Sequence, residues 1–429
     1  MESAHIILGL GFGDEGKGLA TDYFCRKENA DLIVRYNGGS QAAHNVVTPE
    51  GRHFTFSQIG SGSFLPKVKT LVSRFMFLDP ITLEQEANLF DFKLGGNILA
   101  RHFIDARVPI ITPYHVAINR IIEYLRGSSR HGSCGKGIGE LGKDIAENRD
   151  ILHAASLLES RDSLESIIAS IQENKQSTFE SLSELPDGIL ELERKVLLDI
   201  NSPAEIADYY KSIVTHFNII DEFESAELIR SSNVVFEGAQ GILLDENYGF
   251  HPYTTWSTTT QKNALSLLKE SNHPSCSEPE VTGIIRTFLT RHGAGPFPTE
   301  TTDFNVPKTE HNANNQWQED FRIGYQDGVL LKYAVEIAKL TGKFDNIFLT
   351  HCDRDRFESV RDYGWFNRII HPRNLREQEA NTRLLEDHSK PDGKMVMSLV
   401  DFIDWMEIIT NSSIKYMSFG QTYNDVKLK

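Results

Sequence analysis

His5-Ile6-Ile7-Leu8 runs directly into Gly9-Leu10-Gly11-Phe12-Gly13-Asp14-Glu15-Gly16-Lys17-Gly18. The apolar run predicts a buried strand, the glycines a tight loop, and the residues beyond Lys17 a helix start. Three chemistries compete for this loop. Gly11-x-Gly13-x-x-Gly16 satisfies the dinucleotide fingerprint, but a pyrophosphate there would lie beside two carboxylates, Asp14 and Glu15. Gly11-x-x-x-x-Gly16-Lys17 satisfies the phosphate loop, whose lysine reaches a β- or γ-phosphate. The next residue, however, is Gly18; the hydroxyl that usually holds Mg²⁺ is missing, which leaves Asp14 as the hard oxygen donor for a metal. In the third chemistry the aspartate reacts while the lysine and backbone N–H groups hold phosphate. A plain glycine turn explains the glycines but not acid, acid and base crowded within them.

Working outward, Asp31–Tyr36, Lys69–Val72, Asn233–Phe236 and Asn346–Leu349 give further apolar runs. Strands alternating with helical patterns predict an α/β fold with a large, mostly parallel central sheet and flanking helices. From about residue 151 to 232 apolar residues such as Ile189, Leu192, Val196 and Leu197 recur at helical spacing among Glu, Lys and Ser, which reads as a helical insertion in an otherwise single domain spanning 1–429. Arg376 to Lys394 is polar and ends in Pro-Asp-Gly-Lys, which predicts a surface excursion.

The 429 residues are 40% hydrophobic with a formal charge of −16, enough for a large core and wrong for a broad basic surface that grips nucleic acid. Phosphate binding is therefore expected in a local pocket. Cys25, Cys134, Cys276 and Cys352 show no CxxC spacing, so a reduced cytoplasmic setting is expected rather than a disulfide framework or zinc site. The first thirty residues lack the pattern of a signal peptide, and no stretch approaches a membrane span.

Gly-Asp-Glu-Gly-Lys-Gly resembles the signature of the adenylosuccinate synthetases, and the likeness continues in order. Val34-Arg35-Tyr36-Asn37-Gly38-Gly39, Tyr114-His115-Val116-Ala117, Gly135-Lys136-Gly137-Ile138-Gly139, Phe236-Glu237-Gly238-Ala239-Gln240-Gly241 with Leu243-Leu244-Asp245, and Arg291-x-Gly293-Ala294-Gly295-Pro296-Phe297-Pro298-Thr299-Glu300 all look like blocks of that family. The resemblance implies a P-loop-related fold, a homodimer, and a ligase that uses GTP and Mg²⁺ to phosphorylate the 6-oxygen of a purine nucleotide monophosphate before an amino-acid amine displaces the phosphate.

On the same resemblance, Asp14 removes the purine N1 proton and ligates Mg²⁺ with the carbonyl of Gly39, and Lys17 neutralises charge on the transferring phosphoryl group. GTP is expected against Gly13, Glu15, Gly16, Lys17, Gly18, His351, Asp353, Ser418 and Gly420. Asp353 is the base reader, since Thr350-His351-Cys352-Asp353 looks like the family's Thr-Lys-x-Asp with Lys changed to His. The substrate nucleotide is expected against Asp14, Asn37, Ser133, Cys134, Arg149, Gln240 and Thr255. Gln240 suits a purine edge because an amide both donates and accepts. By register the arginine that the family's partner subunit supplies falls at Asn148 or Arg149.

Two departures stand out. The family's His-Asn-Ala-Gly-His is Ser40-Gln41-Ala42-Ala43-His44 here, so its first histidine is Ser40 and its second survives as His44. Losing a general acid costs about 10²- to 10⁴-fold, which keeps open an alternative: a weak or inactive homologue that binds or senses purine nucleotides. The family also holds aspartate with Thr-Thr-Gly and a run of arginines. The corresponding segment here, expected to involve Thr299, Asn314, Asn315 and Arg322, has Arg322 as its one fixed cation between Glu310 and Gly324. The amine donor is thus left open between aspartate and another compound.

Overall fold

A computed structural model describes residues 2–182, 185, 186, 188–303, 317, 321–360, 369–387 and 394–429. The opening motif folds as read: strand β1 (Ala4–Gly9) is buried throughout, and helix α1 begins at Lys17 and runs to Lys27. An unbroken apolar strand of this kind belongs at the centre of a sheet covered on both faces. Strand β2 (Leu32–Arg35) and the antiparallel pair β3 (His44–Val47) and β4 (His53–Phe56) follow.

β1 sits inside a ten-stranded sheet. On one side of it lie Val234–Glu237, β2, Lys69–Val72, His102–Asp105 and Asn218–Ile220; on the other lie Glu280–Arg286, Asn346–Thr350, Ser413–Ser418 and Val426–Leu428. Every neighbouring pair is parallel except the last, Ser413–Ser418 with Val426–Leu428. The strands before residue 221 build outward to one side and those after residue 279 to the other. That makes β1 a topological switch point, where ligands bind beyond the carboxyl ends of the strands. Away from the sheet, Leu289–His292 pairs antiparallel with Phe321–Gly324.

Local chemistry explains the element ends. Pro80–Leu94 starts at Asp79, whose carboxylate accepts from the N–H groups of Ile81 and Thr82 at 3.1 and 3.2 Å, with proline in the first turn. Between residues 151 and 232 the predicted helices appear as Arg161–Glu180, Glu191–Leu198, Ser202–Ile213 and Glu222–Arg230, but Asn218–Ile220 is an edge strand of the central sheet. Leu197 is buried, whereas Leu192 is exposed.

The surface excursion expected from Arg376 to Lys394 begins as a helix, and its residues 388–393 lie outside the described residues. Leu375–Asp387 is a helix that docks through polar groups, Gln378 donating to the Glu246 carbonyl at 3.0 Å and Thr382 to that of His251 at 2.8 Å. No helix among the described residues is long and apolar enough to cross a membrane.

Candidate functional site

The loop after β1 is organised around Glu15, which is 2% exposed. Its Oε1 accepts from the N–H groups of Gly11 and Gly13 at 3.0 and 2.9 Å, and its Oε2 pairs with the Lys17 ammonium. Glu15 and Gly13, both expected at GTP, are therefore bonded to each other inside the loop. Gly11 and Gly13 present no unpaired N–H to a dinucleotide pyrophosphate, which leaves Gly16, Lys17 and Gly18 at the start of α1 to face a phosphate.

Gly16 has φ of 100°, a left-handed conformation that favours glycine. A Cβ on Gly18 would stand 2.7 Å from the Asn45 carbonyl, so the close approach of β3 excludes the serine or threonine of an ordinary phosphate loop.

Asp14 also has positive φ, 59°, and is held from three directions. Arg286 Nε donates to its carbonyl, Thr290 Oγ1 donates to the adjoining Gly13 carbonyl at 3.3 Å, and His292 Nε2 lies 3.0 Å from Asp14 Oδ2. Burial alone would raise the Asp14 carboxyl, but the His292 hydrogen bond and the charges of Arg286 and Lys17 outweigh it and hold the group below its ordinary value. Among the described residues Oδ1 has no hydrogen-bond partner, so it fits a hard cation. The Gly39 carbonyl, the other expected metal ligand, accepts from Ala42 N at 3.3 Å and keeps a second lone pair.

The carboxyl ends of three strands close a cleft of about 810 Å³, mouth included, over this loop. Asp14, Glu15, Gly16, Lys17 and Gly18 line it together with His44, Arg286, His351, Asp353, Ser418 and Gly420. Thr350 Oγ1 donates to the Glu15 carbonyl at 2.9 Å and fastens the Asn346–Thr350 strand to the loop. Burial, then the charges of Arg286 and Arg354, push the His351 imidazole well below its ordinary pKa, so the residue expected at GTP stands neutral in the cleft.

His44 reaches the cleft from β3 with its Nδ1 2.5 Å from Glu237 Oε1. Burial lowers the His44 pKa more than the Glu237 contact raises it. Glu237 is fully buried and accepts from Ser61 N at 2.9 Å. Burial opposes its charge, yet Arg35 and His44 bring its pKa down to about 2.

On the other side of β1 the structure joins some expected substrate contacts and diverts others. Gln240 Nε2 donates to Thr255 Oγ1 at 2.9 Å, and Gln240 Oε1 is buried without a partner. Leu243 N donates to the Gly11 carbonyl at 3.2 Å, linking the Gln240 segment to the glycine loop. Ser40 Oγ is buried and unpartnered, as are both amide atoms of Gln41, a residue the sequence reading did not single out. A Cβ on Gly38 would lie 3.4 Å from both Gln240 Oε1 and Gln41 Nε2, so the two amides face one small region.

Asn37 acts as a brace, donating to the Ala239 carbonyl at 3.0 Å and accepting from its N–H at 2.7 Å. Ser133 Oγ donates to Asn119 Oδ1 at 2.9 Å, beside the partly buried Cys134. Arg149 is engaged locally by Asp144, Glu147 and Asn174. None of Asn37, Ser133, Cys134 or Arg149 lines the cleft.

At the expected donor end, Arg322 is already occupied. Its Nε donates to Glu300 at 2.9 Å and its Nη1 to the carbonyls of Gly293 and Gly295 at 2.9 and 2.8 Å. Arg291 is buried against the Phe12 ring and donates to the Ala294 and Pro296 carbonyls at 3.1 and 2.9 Å. Thr299 is buried with its hydroxyl unpartnered. Asn314 and Asn315 lie outside the described residues.

Comparisons with known proteins agree with this architecture. The family model described as adenylosuccinate synthetase matches residues 6–361. Adenylosuccinate synthetase of Mycolicibacterium vanbaalenii is 31% identical over 365 residues, covering 82% of this chain and 77% of that protein. The enzyme of Francisella tularensis subsp. tularensis is 33% identical over 352 residues, with 81% and 77% covered. Fully ligated adenylosuccinate synthetase from Plasmodium falciparum superposes with a TM-score of 0.77 at 20% identity, covering 100% of both chains. Succinoaminodeoxyadenylate synthetase of cyanophage S-2L, bound to dGMP and dATP, superposes with a TM-score of 0.55 at 14% identity, covering 100% of this chain and 95% of that one. The chain belongs to the adenylosuccinate synthetase family.

Proposed function

We propose that this protein is a GTP- and Mg²⁺-dependent ligase that phosphorylates the 6-oxygen of a purine nucleoside monophosphate and replaces that phosphate with an amine. The observation that carries the reading is the convergence on one cleft of a carboxylate (Asp14) and an ammonium (Lys17) from the glycine loop with a guanidinium (Arg286), an imidazole (His44) and a second carboxylate (Asp353) from three other segments of the chain. A phosphate and a bare nucleobase need such a mixture at the two ends of one site.

In this reading Asp353 accepts hydrogen bonds from the guanine N1–H and 2-amino groups. The α1 N-terminus and Lys17 hold the phosphates; Glu15 engages the ammonium on one side and leaves its remaining N–H groups for the nucleotide. Gln240 and Gln41 present unpartnered amide atoms to the purine edge. Asp14 takes the N1 proton, which makes the 6-oxygen nucleophilic. Asp14 Oδ1 and the Gly39 carbonyl would hold Mg²⁺, which would supply charge neutralisation for the transferring group. The working form in this reading is a cytoplasmic homodimer; Arg149 serves the neighbouring subunit once its local pairs open.

The donor is aspartate or another amine. Arg322, held by Glu300 and two carbonyls, favours a donor bound in some way other than a guanidinium clasp. A second reading, nucleotide binding without turnover, is favoured by Ser40, which cannot supply the charge of a histidine.

Incubating the protein with GTP, Mg²⁺ and inosine or guanosine monophosphate, with and without a panel of amino acids, separates the two. The ligase reading expects GDP release that depends on the monophosphate, a product mass matching one donor, and loss of both in Asp14→Ala. Thermal stabilisation by nucleotide with no GDP formed would establish the binding reading.

A further inference from the structure

We propose that His292 is a positioning residue for the transfer step: it ties Asp14 by one carboxylate oxygen and so aims the other at the reacting purine and the cation. This rests on the ligase reading above. His292 closes the strand Leu289–His292 and stands opposite Phe321 of the pairing strand, its ring 5.0 Å from the Phe321 ring. The same short stretch of chain grips the glycine loop at three points. Arg286 and Thr290 bond the carbonyls of Asp14 and Gly13, which fixes the loop backbone. His292 alone reaches the carboxylate, Nε2 to Oδ2 at 3.0 Å.

A carboxylate can only accept, so the ring proton that faces Asp14 is the one on Nε2. The opposite nitrogen, Nδ1, is buried and has no partner. The polar contact of the imidazole is therefore with Asp14, while its face lies against Phe321. With side chains 17% and 20% exposed, the pair is partly screened from water, where a hydrogen bond to a charge is stronger than at an open surface.

The contact has a geometric consequence. Asp14 lies at φ of 59°, and among the described residues His292 is the side chain that contacts its carboxylate directly. Removing the imidazole leaves the backbone clamps intact and lets the carboxylate swing, so Oδ1 no longer waits at one place. Loss of aim of this kind lowers turnover more than ground-state binding.

Two variants test this. His292→Val removes the donor and keeps a strand-favouring side chain, whereas His292→Gln offers an amide N–H in place of Nε2. With GTP, Mg²⁺ and the monophosphate used by the unmodified protein, His292→Val is expected to lower kcat about 10- to 100-fold with KM values within about threefold, and His292→Gln to recover part of the loss.

A double-mutant cycle with Asp14→Asn, read as GTP affinity by calorimetry with and without Mg²⁺, gives a readout independent of turnover. The Mg²⁺-dependent part of binding is expected to fall on His292→Val in the native background and to stay unchanged in the Asp14→Asn background. An unchanged kcat in His292→Val, or equal losses in both backgrounds, overturns the proposal. Absence of turnover in the unmodified protein would instead sink the ligase reading, and the binding cycle would still decide the role of His292.

Discussion

The phosphate end of the site and the donor end are built on different principles. At the phosphate end, Asp14, Lys17, Arg286, Asp353 and Gly420 sit on or just beyond the carboxyl ends of parallel strands, so the sheet itself sets their spacing. At the donor end, Arg291 and Arg322 lie on a two-stranded pair outside that sheet, and both guanidiniums are turned onto backbone carbonyls. A scaffold of strand ends tolerates change elsewhere, whereas a specificity loop can be rewritten without moving the sheet.

The sharpest way to break the phosphate end is Gly18→Ser, which restores the phosphate-loop hydroxyl that sequence comparison would call an improvement. Its Cβ would meet the Asn45 carbonyl at 2.7 Å. Urea unfolding should show a loss of about 1–3 kcal/mol, and calorimetry a drop in GTP affinity of up to about 100-fold. Tighter GTP binding in this variant would mean that β3 yields readily and that the approach to Gly18 matters little.

A smaller effect is expected at the base. Asp353→Asn replaces one acceptor by a donor facing the guanine N1–H and should raise the KM for GTP about 10-fold with little change for ATP. Equal effects on both nucleotides would remove Asp353 from base reading.

The support beneath His44 can be tested through pH. Glu237 titrates near 2 in the folded chain against 4.5 as its ordinary value, so the unfolded chain takes up its proton first on acidification. The stability it contributes is fully present above about 4.5 and is lost as pH falls toward about 2. Melting temperature over that window should fall less steeply in Glu237→Gln; an equal slope would show that the Arg35 and His44 contacts do not hold the carboxylate charged.

The smallest effect sharpens the contrast most. Arg322→Met should change the KM for the amine donor by less than about twofold and cost at most about 1 kcal/mol, because the Glu300 pair is partly exposed. A large rise in the donor KM would show that the guanidinium leaves Glu300 for substrate, making the two ends alike after all.

What could be read from sequence follows the same division. β1, β2 and the strands at Lys69, Val234 and Asn346 are apolar runs beside motifs, and they lie where those runs predict. Glu280–Arg286 escaped notice because Glu280, Thr282 and Arg286 interrupt its apolar pattern, although it adjoins β1. The helix Leu375–Asp387 reads as loop because three of its four buried residues, Gln378, Asn381 and Thr382, are polar, and hydrophobic periodicity has nothing to report.

Within the site, the motif names Glu15 and Asp14 but not the direction of either side chain. That direction depends on left-handed residues at positions 14 and 16. His292 is invisible for a simpler reason: it fills the unspecified place in Arg291-x-Gly293, and only the fold brings it to Asp14.

The inward carboxylate of Glu15 has one more consequence. An anion tethered within the turn satisfies the Gly11 and Gly13 amides from inside the chain itself, so the curve needs no outside anion to hold it. No coil has to be ordered on docking, and the entropy that a floppy anion-binding turn surrenders at that moment has already been given up when the chain folds. In the ligase reading the triphosphate would meet a finished mould, and its entry would be governed by diffusion and charge rather than by rearrangement of the turn.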